Sequence, residues 1–314
     1  MQNASMSHLQ HATEHTHIIG QARAIRSYAK INLTLDVLGR RPDGYHELAT
    51  VMQTVDIYDT ICLTLTEDQR VSVFCTQPEL NTQDNLVVRA AEAVLQQLSL
   101  TQGLMIELHK RIPTAAGLGG GSSDAAAVLL ALQQWWQLEL SPRDMLTIAA
   151  SLGSDVPFFL TGGLALCEGR GEKVTPLAPN WPASMRWLLL VKPSIGISTA
   201  TVFRQLTPLD YTTGEQSRIV CTALQTRDTF RLEYLHNSLE RGVLEHYPDV
   251  GRAREDMLQA GAPCVRLSGS GPTLFAPFPD LASATRVYQR LHTQRYEVYL
   301  TRAIDPNAKD ISFY

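Results

Sequence analysis

The stretch IPTAAGLGGGSSDAAAVLLAL, Ile112 to Leu132, decides how this 314-residue chain is read. Its glycines and serines separate two patterned runs. Before them, GLMIELHKRI alternates through Leu104, Ile106 and Leu108 as a strand does. After them, Ala125, Val128, Leu129, Leu132 and Trp136 recur at three and four residues, which predicts a helix beginning near Ser122 to Asp124. Three readings compete for the glycines. A flexible linker would join domains, whereas this segment lies directly between strand and helix. A tight structural turn has little use for three consecutive glycines. An anion cradle explains them: glycine lets the backbone approach closely, and a helix N-terminus offers free N–H groups and a favourable dipole.

The residues also narrow the kind of cradle. A Walker loop needs Lys then Ser or Thr after its last glycine, and here Gly121 is followed by Ser122 and Ser123. A Rossmann GxGxxG begins at neither Gly117 nor Gly119, and no protein-kinase HRD or DFG follows.

Outward from this stretch, the composition is that of ordinary globular protein: 44% hydrophobic and 18% charged residues, with a formal net charge of -4. That balance gives no general argument for nucleic acid or an anionic membrane as partner. Cys62, Cys75, Cys167, Cys221 and Cys264 are scattered without a CxxC pair, against a disulfide framework or a structural zinc site and for a reducing compartment. No apolar run approaches membrane-spanning length and the N-terminus lacks a signal-peptide pattern, so the expectation is a soluble, cytoplasmic protein. Residues 1–22, with His8, His11, His15 and His17, read as a disordered extension in preference to a metal-binding tail.

In SYAKINLTLDVLG, Ile31, Leu33, Leu35 and Val37 alternate with Lys30, Asn32, Thr34 and Asp36, the pattern of a half-buried strand with Lys30 and Asn32 on one face. Pro42-Asp43-Gly44 is a turn, with Tyr45 and His46 just beyond it. TICLTLTED and RVSVFCTQ are expected to pair antiparallel, and NLVVRAAEAVLQQL to form a helix. Ser141 and Pro142 open a further helix that stops at Gly153, and SDVPFFLTGG reads as an irregular turn. LAPNWPASM marks a domain junction, dividing the chain at 23–182 and 183–306. Strands and helices mix without steady βαβ alternation, which predicts α+β.

PTAAGLGGGSSDAAAVLL, Pro113 to Leu130, resembles the PxxxGLGxSSA loop of the GHMP small-molecule kinases. AKINLTLDVLGRRPDGYHEL and LGSDVPFFL resemble the branch of that family whose acceptor carries a cytidine diphosphate, and RLSGSGPTLFA resembles the third GHMP motif. The likeness runs from about Ser27 to about Ile304. It implies a two-domain GHMP kinase fold, ribosomal protein S5 domain 2-like and then ferredoxin-like. It also implies transfer of the γ-phosphoryl of ATP, with Mg²⁺, to the 2-hydroxyl of a diphosphocytidyl methylerythritol in isoprenoid precursor synthesis, by a monomer or homodimer without nucleic-acid or membrane partners.

Carried onto this sequence, the resemblance assigns ATP to Pro113-Thr114-Ala115-Ala116-Gly117-Leu118-Gly119-Gly120-Gly121-Ser122-Ser123-Asp124 and catalysis to Lys30 and Asp155. Tyr45 and Phe203 match an aromatic pair around the cytosine, His46 a hydrogen-bonding partner of the base, and Asn32 and Thr199 positions facing the polyol or phosphate. Ser268, Gly269, Ser270 and Gly271 form the third motif; the metal's ligands stay unassigned. Without the resemblance, Asp155 reads as a capping carboxylate and Lys30 as a solvated strand residue. Two departures stand out: Thr114-Ala115-Ala116 replaces further glycines, a strain if either alanine needs positive φ, and Asp124 stands where many members have Asn. Alternatives are a GHMP kinase for homoserine or a mevalonate derivative, and a non-catalytic sensor of ATP and a metabolite.

Overall fold

The computed structural model describes residues 20–135, 140–177, 180–226, 230–292 and 295–305; the histidine-bearing tail and Trp136 lie outside them. Strands are β1 (Ala22–Arg40), β2 (His46–Thr66), β3 (Val71–Cys75), β4 (Gly103–His109), β5 (Leu164–Gly169), β6 (Lys173–Pro176), β7 (Trp187–Pro193), β8 (His236–Asn237), β9 (Arg266–Leu267), β10 (Leu274–Phe278) and β11 (Tyr296–Thr301). Helices are α1 (Leu86–Gln97), α2 (Gly120–Trp135), α3 (Pro142–Leu152), α4 (Val156–Thr161), α5 (Thr199–Arg204), α6 (Glu215–Thr226), α7 (Glu240–His246), α8 (Pro248–Gln259) and α9 (Leu281–Leu291).

One sheet runs β3-β4-β2-β1-β8, with β5 and β6 joined to the first half of β2; the other runs β11-β7-β10-β9. In the second sheet every pair is antiparallel, and the order of its strands along the chain is 4-1-3-2, the ferredoxin-like arrangement. The expected α+β class therefore holds. Between the sheets lies a shared core in which Ala29, Ile31 and Leu33 of β1 pack with Leu188, Leu190 and Phe275. The second sheet begins at β7, and β8 returns to pair parallel with β1 at Thr34 and Leu35.

Four local expectations are corrected. β3 does not pair with β2: β4 lies between them, antiparallel to β2 and parallel to β3. Leu104, Ile106 and Leu108 are almost wholly buried, and a strand that apolar gains most in the sheet interior, reached by a crossover through α1. β1 is buried on both faces, because α6 covers its polar side, where Asp36 accepts hydrogen bonds from Thr212 Oγ1 (2.7 Å) and from the N–H (2.9 Å) and hydroxyl (2.6 Å) of Ser217. α2 starts at Gly120, two residues before the serines. SDVPFFLTGG holds the short helix α4, with Pro157 in its first turn, where its missing N–H costs nothing.

Candidate active site

Where the glycine loop, the β1–β2 hairpin and the β9–β10 turn converge, the fold encloses a cavity of about 1210 Å³. Lys30 enters it from β1. The ammonium stands 3.3 Å from Asp155 Oδ2 and donates to Asn32 Oδ1 at 2.6 Å, while Asn32 Nδ2 donates to Thr50 Oγ1 at 2.8 Å. Lys30 is therefore aimed by a directed chain of donors anchored in the sheet. Asp155 occupies the N-cap position of α4 but makes no capping hydrogen bond. Its side chain is 29% exposed against 4% for Lys30, so the carboxylate is the open end of the pair. A capping carboxylate and a solvated lysine do not describe these two residues.

The glycine loop is tied to β1 by the Lys30 N–H donating to Leu118 O at 3.0 Å, and to the β9–β10 turn by Ser268 Oγ donating to Gly117 O at 3.1 Å. Contact there is close: a Cβ on Gly117 (φ +74°) would stand 2.2 Å from Ser268 O, which no side chain could relieve. Ala115 does take a left-handed φ of 48°, so the strain considered for that position is present; Ala116 does not share it. Pro113 to Ser122 and Asp124 all line the cavity. Ser123 turns away, donating to Tyr28 O at 2.7 Å, and Ser268 and Gly271 support the wall from behind while Gly269 and Ser270 line it.

Asp124 is buried beneath the loop in a network the sequence reading missed. Its Oδ1 accepts from Ser27 Oγ at 2.5 Å and its Oδ2 from Lys110 Nζ at 2.8 Å, while Lys110 also bonds Asp59. Asp59 in turn accepts the N–H groups of Arg111 and Ile112, fixing the backbone where β4 becomes the loop. Burial pushes the Asp124 carboxyl up to about 7; Lys110 opposes this and the charge of Asp59 adds to it. For Lys110, burial works against the charge, but Asp124 and then Asp59 outweigh it and its pKa lies above the ordinary lysine value. The available sequence signal was Asp59 itself, a carboxylate inside the apolar run IYDTICL.

At the other end the cavity is aromatic. The His46 ring lies 5.3 Å from that of Phe203 and 6.1 Å from that of Tyr211, and burial, then the charge of Arg40, lowers its pKa and favours neutral imidazole. Tyr45 and Phe203 both line the cavity, but the ring packed against Phe203 is His46, and Tyr45 carries the Arg170 guanidinium 4.8 Å from its ring centre. Thr199 Oγ1 is 2.8 Å from Ser270 Oγ, joining α5 to the third glycine motif. Asn237 of β8, also missed, donates to Leu267 O at 2.9 Å and Gly269 O at 2.8 Å and so holds that motif in place. Tyr211 and Arg170 carried no periodic or motif signal.

A glycine cradle at one end, an aromatic lobe at the other and a Lys–Asp pair between them suit a group transfer between two bound molecules. A family model for the GHMP kinases N terminal domain matches residues 85–163, and one for the GHMP kinases C terminal matches residues 227–298. The chain is 41% identical to the 4-diphosphocytidyl-2-C-methyl-D-erythritol kinase of Pelotomaculum thermopropionicum over 88% of its own length and 96% of the relative's. To the kinase of the same name from Alkaliphilus metalliredigens it is 38% identical, over 89% and 96%. The chain belongs to the 4-diphosphocytidyl-2-C-methyl-D-erythritol kinase family of GHMP kinases.

A crystal structure of 4-(cytidine 5'-diphospho)-2C-methyl-D-erythritol kinase matches with a TM-score of 0.73 at 32% identity, covering 90% of this chain and 100% of that one. Homoserine kinase from Cytophaga hutchinsonii gives 0.71 at 19% identity over 93% and 98%, a likeness of fold alone. In this GHMP kinase, then, ATP is the phosphoryl donor. The acceptor is a small molecule.

Proposed function

We propose that the protein transfers the γ-phosphoryl group of ATP to the 2-hydroxyl of 4-diphosphocytidyl-2-C-methyl-D-erythritol, a step of isoprenoid precursor synthesis. The observation that carries this reading is the continuity of one cavity from the glycine loop, past Lys30 and Asp155, to the aromatic lobe of His46, Phe203 and Tyr211. An acceptor of the homoserine or mevalonate type, which has no base, would leave that lobe unfilled. A sensor would have no need of a Lys–Asp pair set at the junction.

In this reading the loop from Pro113 to Asp124 cradles the triphosphate, and the first N–H groups of α2 face its charge. Asp155 is the catalytic base that accepts the hydroxyl proton, and the Lys30 ammonium offsets charge developing on the phosphoryl oxygens. Tyr45, His46 and Phe203 hold the cytosine by stacking and in-plane hydrogen bonding; Asn32 and Thr199 face the polyol and its phosphate.

Mg²⁺ suits the loop side of the cavity. It needs only one or two protein oxygens besides phosphate, and Ser122 lines the wall there; Asp124 keeps its oxygens on Ser27 and Lys110. Among the described residues no cluster of three or more His, Cys, Asp or Glu could hold a metal, so the nucleotide would complete the ion's coordination. When bound, the ion neutralises charge on the phosphate oxygens. Among the described residues no helix is long and apolar enough to cross a membrane. All five cysteines are free, which agrees with work in the reducing cytoplasm; a monomer or homodimer remains part of the proposal.

The test is release of ADP on mixing protein, ATP, Mg²⁺ and the diphosphocytidyl acceptor. Asp155→Asn is expected to lower kcat roughly 10²- to 10⁴-fold with its thermal midpoint unchanged. Equal turnover by the variant would remove Asp155 from its role. Binding of both ligands without turnover by the unaltered protein would favour the sensor.

A further inference from the structure

The turn between β5 and β6, Gly169-Arg170-Gly171, is fixed at both ends. Both glycines take left-handed φ, +74° and +115°. The Arg170 N–H donates to Glu172 Oε2 at 2.6 Å, and a Cβ on Gly171 would stand 3.5 Å from Ser154 O and 3.9 Å from Asp155 Oδ1. The turn is thus packed against the segment that carries the catalytic carboxylate, while the Arg170 side chain lies in the cavity over Tyr45.

The charge of Arg170 rests on the Tyr45 ring and, among the described residues, is taken up by no ion pair. Lys30 is paired with Asp155, Lys110 with Asp59 and Asp124, and the Arg204 guanidinium bonds back onto α5 at Ala200 O and Thr201 Oγ1. Among the described residues no carboxylate lies within ion-pair distance of Arg170. Asp43, the acid whose pKa its charge helps to lower, is bound by Arg41 at 3.1 Å. A partly buried guanidinium resting on an aromatic face, with its donors open to a ligand cavity, is arranged to receive an anion, and its planar fork matches phosphate oxygens two at a time.

We infer that Arg170 is a specificity-determining residue for the acceptor, its guanidinium binding the oxygens of the acceptor's diphosphate. This rests on the acceptor proposed above. With the base in the aromatic lobe and the reacting hydroxyl at Asp155, the diphosphate must pass between the two, and the turn bearing Arg170 touches both Tyr45 and the Asp155 segment.

The experiment compares cytidine with cytidine 5'-diphosphate, titrated into the protein with its donor side filled by a non-hydrolysable ATP analogue and Mg²⁺. The unaltered protein is expected to bind the diphosphate ~10- to 100-fold more tightly than the nucleoside, the range for charge-assisted hydrogen bonds. Arg170→Gln should erase most of that advantage while leaving cytidine affinity as it was, and Arg170→Lys should keep part of it. In turnover, Arg170→Gln should raise the acceptor KM and leave the ATP KM alone. An undiminished diphosphate advantage in Arg170→Gln overturns the inference, and so does an equal loss of cytidine and diphosphate binding, which would mean that Arg170 only supports Tyr45. If the unaltered protein binds neither compound, the acceptor reading itself falls and this inference with it.

Discussion

The two ends of the cavity are built on opposite plans. At the end proposed for the donor, eleven of the twelve residues from Pro113 to Asp124 line the wall, and a buried network of Ser27, Asp59, Lys110 and Asp124 fastens them from below. At the end proposed for the acceptor, the wall is gathered from the β1–β2 turn, the β5–β6 turn, α5 and Tyr211, with ring contacts at His46 and one hydroxyl pair from α5 to the β9–β10 turn. A backbone cradle must be rigid in order to present N–H groups, and its rigidity is tied to stability of the fold. A lobe of side chains from separate elements can differ in detail while the sheets beneath it stay the same. Damage to the donor side should therefore appear as lost stability, and damage to the acceptor side as lost affinity.

The sharpest way to break that contrast is at Lys110. Lys110→Met leaves two carboxylates buried without their cation, and should cost about 3–5 kcal/mol of stability, read by urea unfolding. An unchanged midpoint would mean that the network beneath the loop is not a fastening. On the acceptor side, Phe203→Ala removes one stacking face and should raise the acceptor KM by the equivalent of about 1–3 kcal/mol, with the ATP KM and the thermal midpoint nearly constant. If the ATP KM rose in parallel, the two ends would be coupled and the contrast would fail. The smallest effect is expected at Ala115, whose φ of 48° is unfavourable for any residue with a Cβ. Ala115→Gly should stabilise by roughly 0.5–1 kcal/mol, relief of strain being partly offset by the greater freedom of unfolded glycine. Thermal unfolding checks this, and a lower midpoint would show that the loop is not strained there.

The same contrast governs what could be read in advance. The glycine loop was legible because its pattern is contiguous: strand period, glycines and helix period follow one another in twenty-one residues. The alternation in β1 placed Lys30 and Asn32 on one face correctly, yet could not reveal that this polar face is covered, since the cover comes from α6, nearly two hundred residues on. The pairing of β3 was misread because adjacency along the chain suggested a hairpin, while the apolar character of β4 decides its place in the sheet only once α1 can cross over. The helix at Val156 was hidden by its brevity, since six residues are too few to display a period.

By itself the sequence determined the glycine loop between strand and helix and the α+β class, and through the resemblance of its motifs it named the residues proposed for the reaction. All of these depend on neighbours in the chain, where backbone geometry and residue period act directly. Only the tertiary structure decided that Asp155 is an open carboxylate beside Lys30, that Asp124 belongs to a buried ion network, that His46 and Tyr211 share the aromatic lobe with Phe203, and that Arg170 brings a cation there. Those outcomes depend on burial and on distances between residues far apart in sequence, and a charge or an aromatic ring takes its chemical role from what surrounds it.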